Sequence, residues 1–137
     1  MRIIPSTLQC IKQKFYSAPI ESGGIIGSKE GVVCAFYFDD DNYNYDCYVP
    51  NVKKMNAKIA EWADSGIQFA GVIHSHHNDC RLFSDADACY ASEVQKSAGD
   101  LTLYFPIVTI CRQNVVITPY VLKNGILTRE RIVVVRN

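Results

Sequence analysis

The chain has 137 residues, of which 48% are apolar, and its 14 basic side chains are balanced by 14 acidic ones. This length fits one domain with one core, and the composition is that of a globular protein rather than a disordered one. Without a basic excess the chain lacks the charge that binding to a phosphate backbone needs, so nucleic acid is a poor candidate partner. We therefore expect a single globular domain over residues 1–137.

The sequence contains no targeting or membrane signal that we can identify. No apolar run is long enough to cross a bilayer, and the N-terminal segment lacks the apolar region of a signal peptide. We therefore expect a cytoplasmic location and no membrane partner. The six cysteines form no C-x-x-C pair, so free thiols in a reducing compartment are expected. Three disulfides are the alternative that an even count leaves open.

The first third of the chain predicts a helix followed by strands. Ser6 and Gln9 have the spacing of a capping box, and Ile11 and Phe15 continue at helical spacing until Pro19 ends the helix. The segment SGGIIG follows, and its paired glycines indicate a close backbone approach or a bulge. The run VVCAFYF at residues 32–38 has the β-branched and aromatic content of a strand.

Helices and strands alternate through the rest of the chain. Residues 51–65 have helical spacing and end before Gly66, and FAGVIHSH at 69–76 reads as a buried strand whose end emerges at the surface. A third helix begins near Ser84 and runs to about Ser97. Three strands are predicted at residues 101–112, 115–122 and 126–135, the last two joined by an Asn124-Gly125 type I′ turn. The order predicts an α/β fold, a three-layer-like sandwich with a mixed, mostly antiparallel sheet and flanking helices.

The segment from Gly71 to Asp87 carries a candidate metal site. Because side chains two apart on a strand point to the same face, His74 and His76 can share one ion. Zinc binds imidazole nitrogens readily and accepts a carboxylate as third ligand, a role that Asp87 can fill from the next helix. Three protein ligands leave a fourth position for water, which is typical of catalytic zinc sites. Iron, manganese or cobalt could use the same ligands.

Several residues beside these ligands have two interpretations. The Ser84 hydroxyl can donate to the oxyanion of a tetrahedral intermediate, and Ser84-x-x-Asp87 is also a helix-capping box; the two roles are compatible. Asp79 or Cys80 could act as a fourth ligand, but a closed site would have no position for water. His77 is expected in the loop, facing solvent or substrate rather than the ion.

These residues resemble the signature of the JAMM (MPN+/JAB) metallopeptidases. That signature is His-x-His, seven residues, then Ser-x-x-Asp, and here it reads His74 to Asp87 with complete spacing. The family also has a glutamate after its first helix and before a glycine-rich strand, and Glu21 stands at that place. The order of helices and strands agrees from about residue 5 to the end. The short chain resembles a compact prokaryotic member.

The resemblance implies a fold, a metal and a reaction. The fold would be the family's α/β sandwich, similar to cytidine deaminases. Zinc would be bound by His74, His76 and Asp87, with Glu21 as general acid and base and Ser84 polarising the scissile carbonyl. The substrate would be a ubiquitin-like or sulfur-carrier protein, cleaved at a peptide or isopeptide bond in a deubiquitinase-like reaction. E1- and E2-like enzymes are further partners that the resemblance allows.

Other interpretations stay open or are excluded by missing motifs. Many family members have proline after the second histidine, whereas this chain has His77, which leaves the loop shape in doubt and disfavours the RadC branch. A scaffold that binds a ubiquitin-like protein without turnover is the main alternative. A zinc deaminase would need H-x-E with P-C-x-x-C, and a zincin H-E-x-x-H; both are absent.

A final hypothesis concerns the tyrosines that follow the acidic turn at residues 39–42. We expect Tyr43, Tyr45 and Tyr48 to border the substrate groove, on the basis of position and composition. Packing of these rings against the sheet is the alternative.

Overall fold

The computed structural model describes residues 1–18, 21–40, 48–99 and 101–136. The described part contains three helices, α1 (Pro5–Ser17), α2 (Val52–Asp64) and α3 (Asp85–Ala98). It contains ten strands: β1 (Arg2–Ile3), β2 (Gly23–Lys29), β3 (Val32–Phe38), β4 (Gln68–Ser75), β5 (Leu103–Tyr104), β6 (Ile107–Cys111), β7 (Asn114–Thr118), β8 (Tyr120–Lys123), β9 (Ile126–Arg129) and β10 (Val133–Val134). The longest helix has 14 residues, and within the described ranges no helix could cross a bilayer.

The strands form one mixed sheet that divides beside β4. The main path has the strand order β10-β1-β3-β2-β4-β5-β8-β9. Outside this path, β6 pairs with β4 on one side and with β7 on the other. β5 pairs with β4 at Gly71, whereas β6 pairs with it at His74 and Ser75. Five strand pairs are antiparallel and the other four are parallel. The predicted mixed, mostly antiparallel α/β sandwich with flanking helices is therefore confirmed.

Helices cover the two faces of the sheet, and each face has its own core. Ile11 and Phe15 of α1 pack with Ile26 and Ile73 on one face. Met55 and Trp62 of α2 and Ala91 of α3 pack on the other face with a set that includes Ile25, Val72, Leu103 and Phe105. Neighbouring residues of one strand divide between the two cores, as the alternation of side chains requires. From Val72 onward this alternation assigns each β4 side chain to one face, whereas the register with β2 shifts next to Gly71.

Two glycines allow close contacts that no larger residue would permit. A Cβ on Gly24 would lie 2.1 Å from the Tyr37 carbonyl oxygen, and one on Gly71, where φ is +147°, would lie 1.7 Å from that of Tyr104. The first case confirms the close approach predicted for the paired glycines. The register shift between β2 and β3 falls later, at Gly27 and Ser28.

The structure corrects two details of the sequence prediction. The helix α1 begins at Pro5 and has no side-chain cap, because proline at the first turn needs no N–H partner; the predicted capping box of Ser6 is wrong. The three long terminal strands are six shorter ones. Pro106 divides β5 from β6 and Pro119 divides β7 from β8, because proline cannot donate to a strand ladder, whereas residues 130–132 separate β9 from β10 without a proline. The Asn124-Gly125 turn is confirmed, with positive φ at both residues.

Candidate metal centre

The two histidines lie at the end of β4, in the middle of the sheet. β4 runs between β2 and β6, and Gly23 and Ile107 are the partners of His74. The backbone N–H of His76 donates to the Val108 carbonyl at 2.9 Å, so the chain remains anchored one residue beyond the strand. Because Val72 belongs to the core beneath α2 and α3, the alternation directs His74 and His76 to that same face.

Asp87 reaches the histidines from the first turn of α3. Ser84 is the N-cap, its Oγ accepts from the Asp87 backbone N–H at 3.0 Å, and Asp87 Oδ2 accepts from the Ser84 N–H at 2.9 Å. This capping box, which the sequence predicted, fixes the rotamer of Asp87. Both acidic residues of the first turn also complement the positive end of the helix dipole.

Three side chains converge on one point. His74 Nε2 and His76 Nε2 are 2.8 Å apart, and each lies 3.1 Å from an oxygen of Asp87. Tetrahedral zinc ligands at 2.0–2.2 Å from the ion are separated by about 3.3 Å, so small side-chain rotations produce that spacing. The three side chains are 12–17% exposed, which leaves one side of the group open to solvent. The donor set, two imidazoles and a carboxylate, fits a catalytic zinc site.

The electrostatics of the group favour the metal-binding carboxylate of Asp87 but the protonated form of His76. Burial alone would raise the pKa of Asp87, but hydrogen bonds from His74, His76 and the Ser84 backbone hold it well below its usual range. The hydrogen bond to Asp87, opposed by burial, raises the pKa of His76 to about 9. A cation would displace the proton from His76, so its binding is expected to weaken as the pH falls.

The loop between His76 and Ser84 is held at both ends. His76 Nδ1 is 3.1 Å from the Cys80 carbonyl, and an N–H at Nδ1 that donates there leaves Nε2 as the ligand atom. Asn78 and Asp79 both have a φ of 54°, a conformation that asparagine and aspartate tolerate better than most residues. At the far end the Tyr120 hydroxyl donates to the Arg81 carbonyl at 2.7 Å.

The alternative of a fourth protein ligand is not what the structure shows. Asp79 forms a two-pronged ion pair with Arg81, at 2.9 and 3.1 Å, which lowers the pKa of Asp79. Across the described ranges the only group of histidine, cysteine or acidic residues close enough to share an ion is His74, His76 and Asp87. Asp79 and Cys80 are outside it, so the position that water would need is left free of protein ligands.

Glu21 lies beside the three ligands without joining them. It stands two residues before β2, and the first residue of that strand, Gly23, pairs with His74. Its side chain is 13% exposed, and its Oε1 is 3.6 Å from Nε2 of His77, the loop residue next to a ligand. Glu21 is outside the group of three candidate ligands, and its role as general base stays a prediction.

The other predicted residues have mixed outcomes. Ser84 is exposed and caps α3; whether it also polarises a carbonyl stays a prediction. Tyr43 and Tyr45 lie outside the described residues. Tyr48 packs on Gly23, whose hypothetical Cβ would be 2.5 Å from its ring, and its hydroxyl donates to Asp39 at 3.2 Å. Burial and the Asp39 charge raise the pKa of Tyr48. For Tyr48, therefore, the packing alternative is supported.

A large apolar groove begins next to the metal ligands. It lies between α2 and α3 above the sheet and encloses about 670 Å³. Its floor includes Val72, two residues before His74, and its wall includes Tyr90, which is one helical turn after Asp87. Met55 and Val94 line it further along. None of His74, His76 and Asp87 is among the residues that line this groove.

Comparison with known proteins assigns the family. Residues 5–121 match the family described as prokaryotic homologs of the JAB domain.

The chain belongs to the prokaryotic JAB family.

The matched segment contains Glu21, both histidines and Asp87, so the candidate centre falls within the JAB region. Among solved structures, the chain is similar to protein DSY2949 from Desulfitobacterium hafniense, with a TM-score of 0.71 and 16% identity over 99% of this chain and 93% of that one. This likeness supports the JAB fold alone. No protein among curated sequences matches the chain.

Sequence reasoning missed residues that support this JAB centre from elsewhere in the chain. Tyr120 anchors the loop through Arg81, and Ser75 contacts Ser22. The signal for Ser75 was available: a hydroxyl between two ligands on a strand must point away from them. Nothing in the local sequence around Tyr120 marks its hydrogen bond, since the two residues are 39 positions apart.

Proposed function

We propose that this JAB-family chain is a zinc-dependent peptidase. The observation that carries the proposal is the convergence of His74 Nε2, His76 Nε2 and the Asp87 carboxylate within 3.1 Å, with Glu21 beside them. These three residues would hold the zinc. Bound zinc supplies Lewis-acid activation of water and of a carbonyl at neutral pH. A site that served structure alone would normally be closed by a fourth protein ligand.

Glu21 is the residue we assign to proton transfer. Its carboxylate can accept a proton from the attacking water and deliver it to the leaving amine, because it is near the ligands but not tied to the ion. His77 faces the Glu21 oxygen at 3.6 Å and restricts the volume that the carboxylate can explore. Ser84, held by its capping bond to α3, would donate its hydroxyl proton to the oxygen of the scissile carbonyl.

The substrate class we propose is the C-terminal tail of a ubiquitin-like or sulfur-carrier protein. Such a tail is extended and flexible, so its last residues could enter the groove between α2 and α3 and place a peptide or isopeptide bond at the metal centre. The apolar lining of the groove supports a tail with apolar side chains before the scissile bond. The five described cysteines are free thiols, in keeping with a cytoplasmic enzyme that works with E1- or E2-like proteins.

Cleavage of ubiquitin-like fusions tests this function. The purified protein is incubated with C-terminal fusions of ubiquitin-like and sulfur-carrier proteins, with and without a zinc chelator, and products are identified by mass spectrometry. We expect cleavage that the chelator abolishes and added zinc restores. Equal cleavage in both samples would refute the metal mechanism. Tight binding of a fusion without cleavage would favour the scaffold alternative.

A further inference from the structure

The middle residue of His-x-His makes contacts that the proposed mechanism does not use. Ser75 lies between the two ligands on β4, and the alternation of the strand directs its side chain to the opposite face, toward α1. It is 8% exposed and lines a small cavity of about 30 Å³ with Phe15 and Val108. A polar side chain in that environment requires a hydrogen-bond partner.

The partner of Ser75 is the backbone of Ser22, the residue that directly follows Glu21. Ser22 N–H donates to Ser75 Oγ at 2.9 Å, the Ser75 N–H donates to the Ser22 carbonyl at 2.8 Å, and Ser75 Oγ is 3.4 Å from that same carbonyl. Both residues are buried. One residue of β4 therefore holds both polar groups of the Ser22 backbone.

This arrangement extends the β2–β4 ladder by one residue beyond its last regular pair. The ladder ends at Gly23 and His74, while Ser75 is also paired with Val108 of β6 on the other side. In a regular antiparallel ladder the Ser22 N–H would donate to a backbone carbonyl of β4. Here the Ser75 hydroxyl takes the place of that carbonyl. The Ser75 hydroxyl therefore helps to set the direction in which the chain leaves the ladder toward Glu21.

We infer that Ser75 is a positioning residue that fixes Glu21 against the metal centre. One strand then holds both histidine ligands and the base segment in a single frame: His74 and His76 face the metal position, and Ser75, on the reverse face, holds the segment that carries the base. The inference rests on the proposed function, because Glu21 is assigned there as the group that moves protons. In this arrangement, hydrogen bonds within the protein connect the strand that carries the histidines to the segment that carries Glu21.

A set of substitutions tests the link. Ser75→Ala removes the hydroxyl, Ser75→Thr retains it, and Thr7→Ala is the matched control because Thr7 is a buried hydroxyl residue of α1. Displacing a catalytic group by about 1 Å costs about a hundredfold in rate, so we expect Ser75→Ala to lower kcat about ten- to hundredfold. KM and zinc affinity, measured by chelator competition, should not change, since the ligands lie on the other face. Ser75→Thr should restore kcat, and Thr7→Ala should leave it unchanged.

Combining the substitution with Glu21→Gln distinguishes positioning from a general loss of structure. If Ser75 acts through Glu21, Ser75→Ala should have little further effect on kcat in the Glu21→Gln background. Equal losses in both backgrounds, or a fully active Ser75→Ala protein, would overturn the inference while leaving the peptidase proposal intact. Full activity of Glu21→Gln would instead refute the proposed base.

A substrate-independent measurement completes the test. Amide hydrogen exchange at Ser22 and the crystal structure of the Ser75→Ala protein report the location of the Glu21 segment even if no fusion is cleaved. We expect faster exchange at Ser22 and a displaced Glu21 carboxylate. Slow exchange with Glu21 in its original place would overturn the inference.

Discussion

The two faces of the sheet are built from the same strands but differ in how completely the helices cover them. On the α1 face, Phe15 is 2% exposed and contacts the rings of Phe36 and Phe38, with centroids 6.0 and 5.4 Å away, in a closed aromatic core. On the other face α2 and α3 leave a groove of about 670 Å³, whose lining includes Val72, two residues before His74, and Tyr90, one helical turn after Asp87. Both faces have a buried core, and the candidate metal ligands lie on the second.

The strand β4 contributes side chains to both faces of the sheet. Along β4, Ile73 and Ser75 point toward α1, while Val72 and His74 point toward the groove. The closed face thus holds the strand rigid, and the open face presents the ligands. Substitutions on the two faces should therefore affect different properties, and three of them test this separation.

The largest effect is expected on the open face, from Glu21→Gln. The substitution removes the proton acceptor but no metal ligand, so kcat should fall by about 10²–10⁴-fold while zinc content stays the same. Glu30→Gln is the matched control, because Glu30 is an exposed glutamate directly after β2, at the other end of the strand. Steady-state kinetics on a cleaved fusion, with metal analysis of each protein, make the measurement. Retained turnover in Glu21→Gln would place the base elsewhere.

The closed face should respond to Phe15→Ala with a loss of stability. Removing a buried phenylalanine leaves a cavity, and the free energy of unfolding should fall by about 3–5 kcal/mol. Tyr16→Ala, a neighbour that is 57% exposed, should change it by less than about 0.5 kcal/mol. Urea unfolding measures both. The zinc affinity of the folded Phe15→Ala protein should match that of the wild type, and a large drop would show that the faces are not separable.

The smallest effect is expected in the groove, from Val94→Asp. A charge in the apolar lining should raise KM for a fusion substrate about tenfold and leave kcat within about twofold. The reason is that the substrate and the transition state lose the same binding energy in the groove. Ser92→Asp adds the same charge to an exposed position of α3 and should leave KM unchanged. An unchanged KM for Val94→Asp would mean that the substrate does not use the groove.

Most of the fold could be predicted from periodicity, because long patterned segments determine their own structure. The strand over residues 32–38 was predicted from its β-branched and aromatic content, and the helix that the structure places at Val52–Asp64 was predicted from side-chain spacing. The terminal strands could not be delimited that way. Their apolar runs continue across Pro106 and Pro119, and only the tertiary pairing shows that each proline ends a strand. The two-residue strand β1 was not predicted, and it is held by pairing with β10 and β3.

The candidate site was likewise predictable only in part. The spacing of His74 and His76 on a strand predicted a shared face, and the structure brings Asp87 to them from α3. The orientation of Ser75 was predictable from strand alternation, but the partners of the supporting residues were not, because Ser75 reaches Ser22 over 53 positions and Tyr120 reaches Arg81 over 39. Those contacts depend on the order of strands in the sheet, which side-chain spacing does not encode.

The most direct test of the account is the zinc content of the purified protein and of Asp87→Ala. We predict one zinc per wild-type chain, and an affinity at least about a hundredfold lower for Asp87→Ala, since even partners outside the first ligand shell are worth about 10- to 100-fold. Asp85→Ala, which removes the other acidic residue of the first turn of α3, should keep its zinc. If Asp87→Ala is folded and binds zinc as tightly as the wild type, the proposed metal centre is wrong.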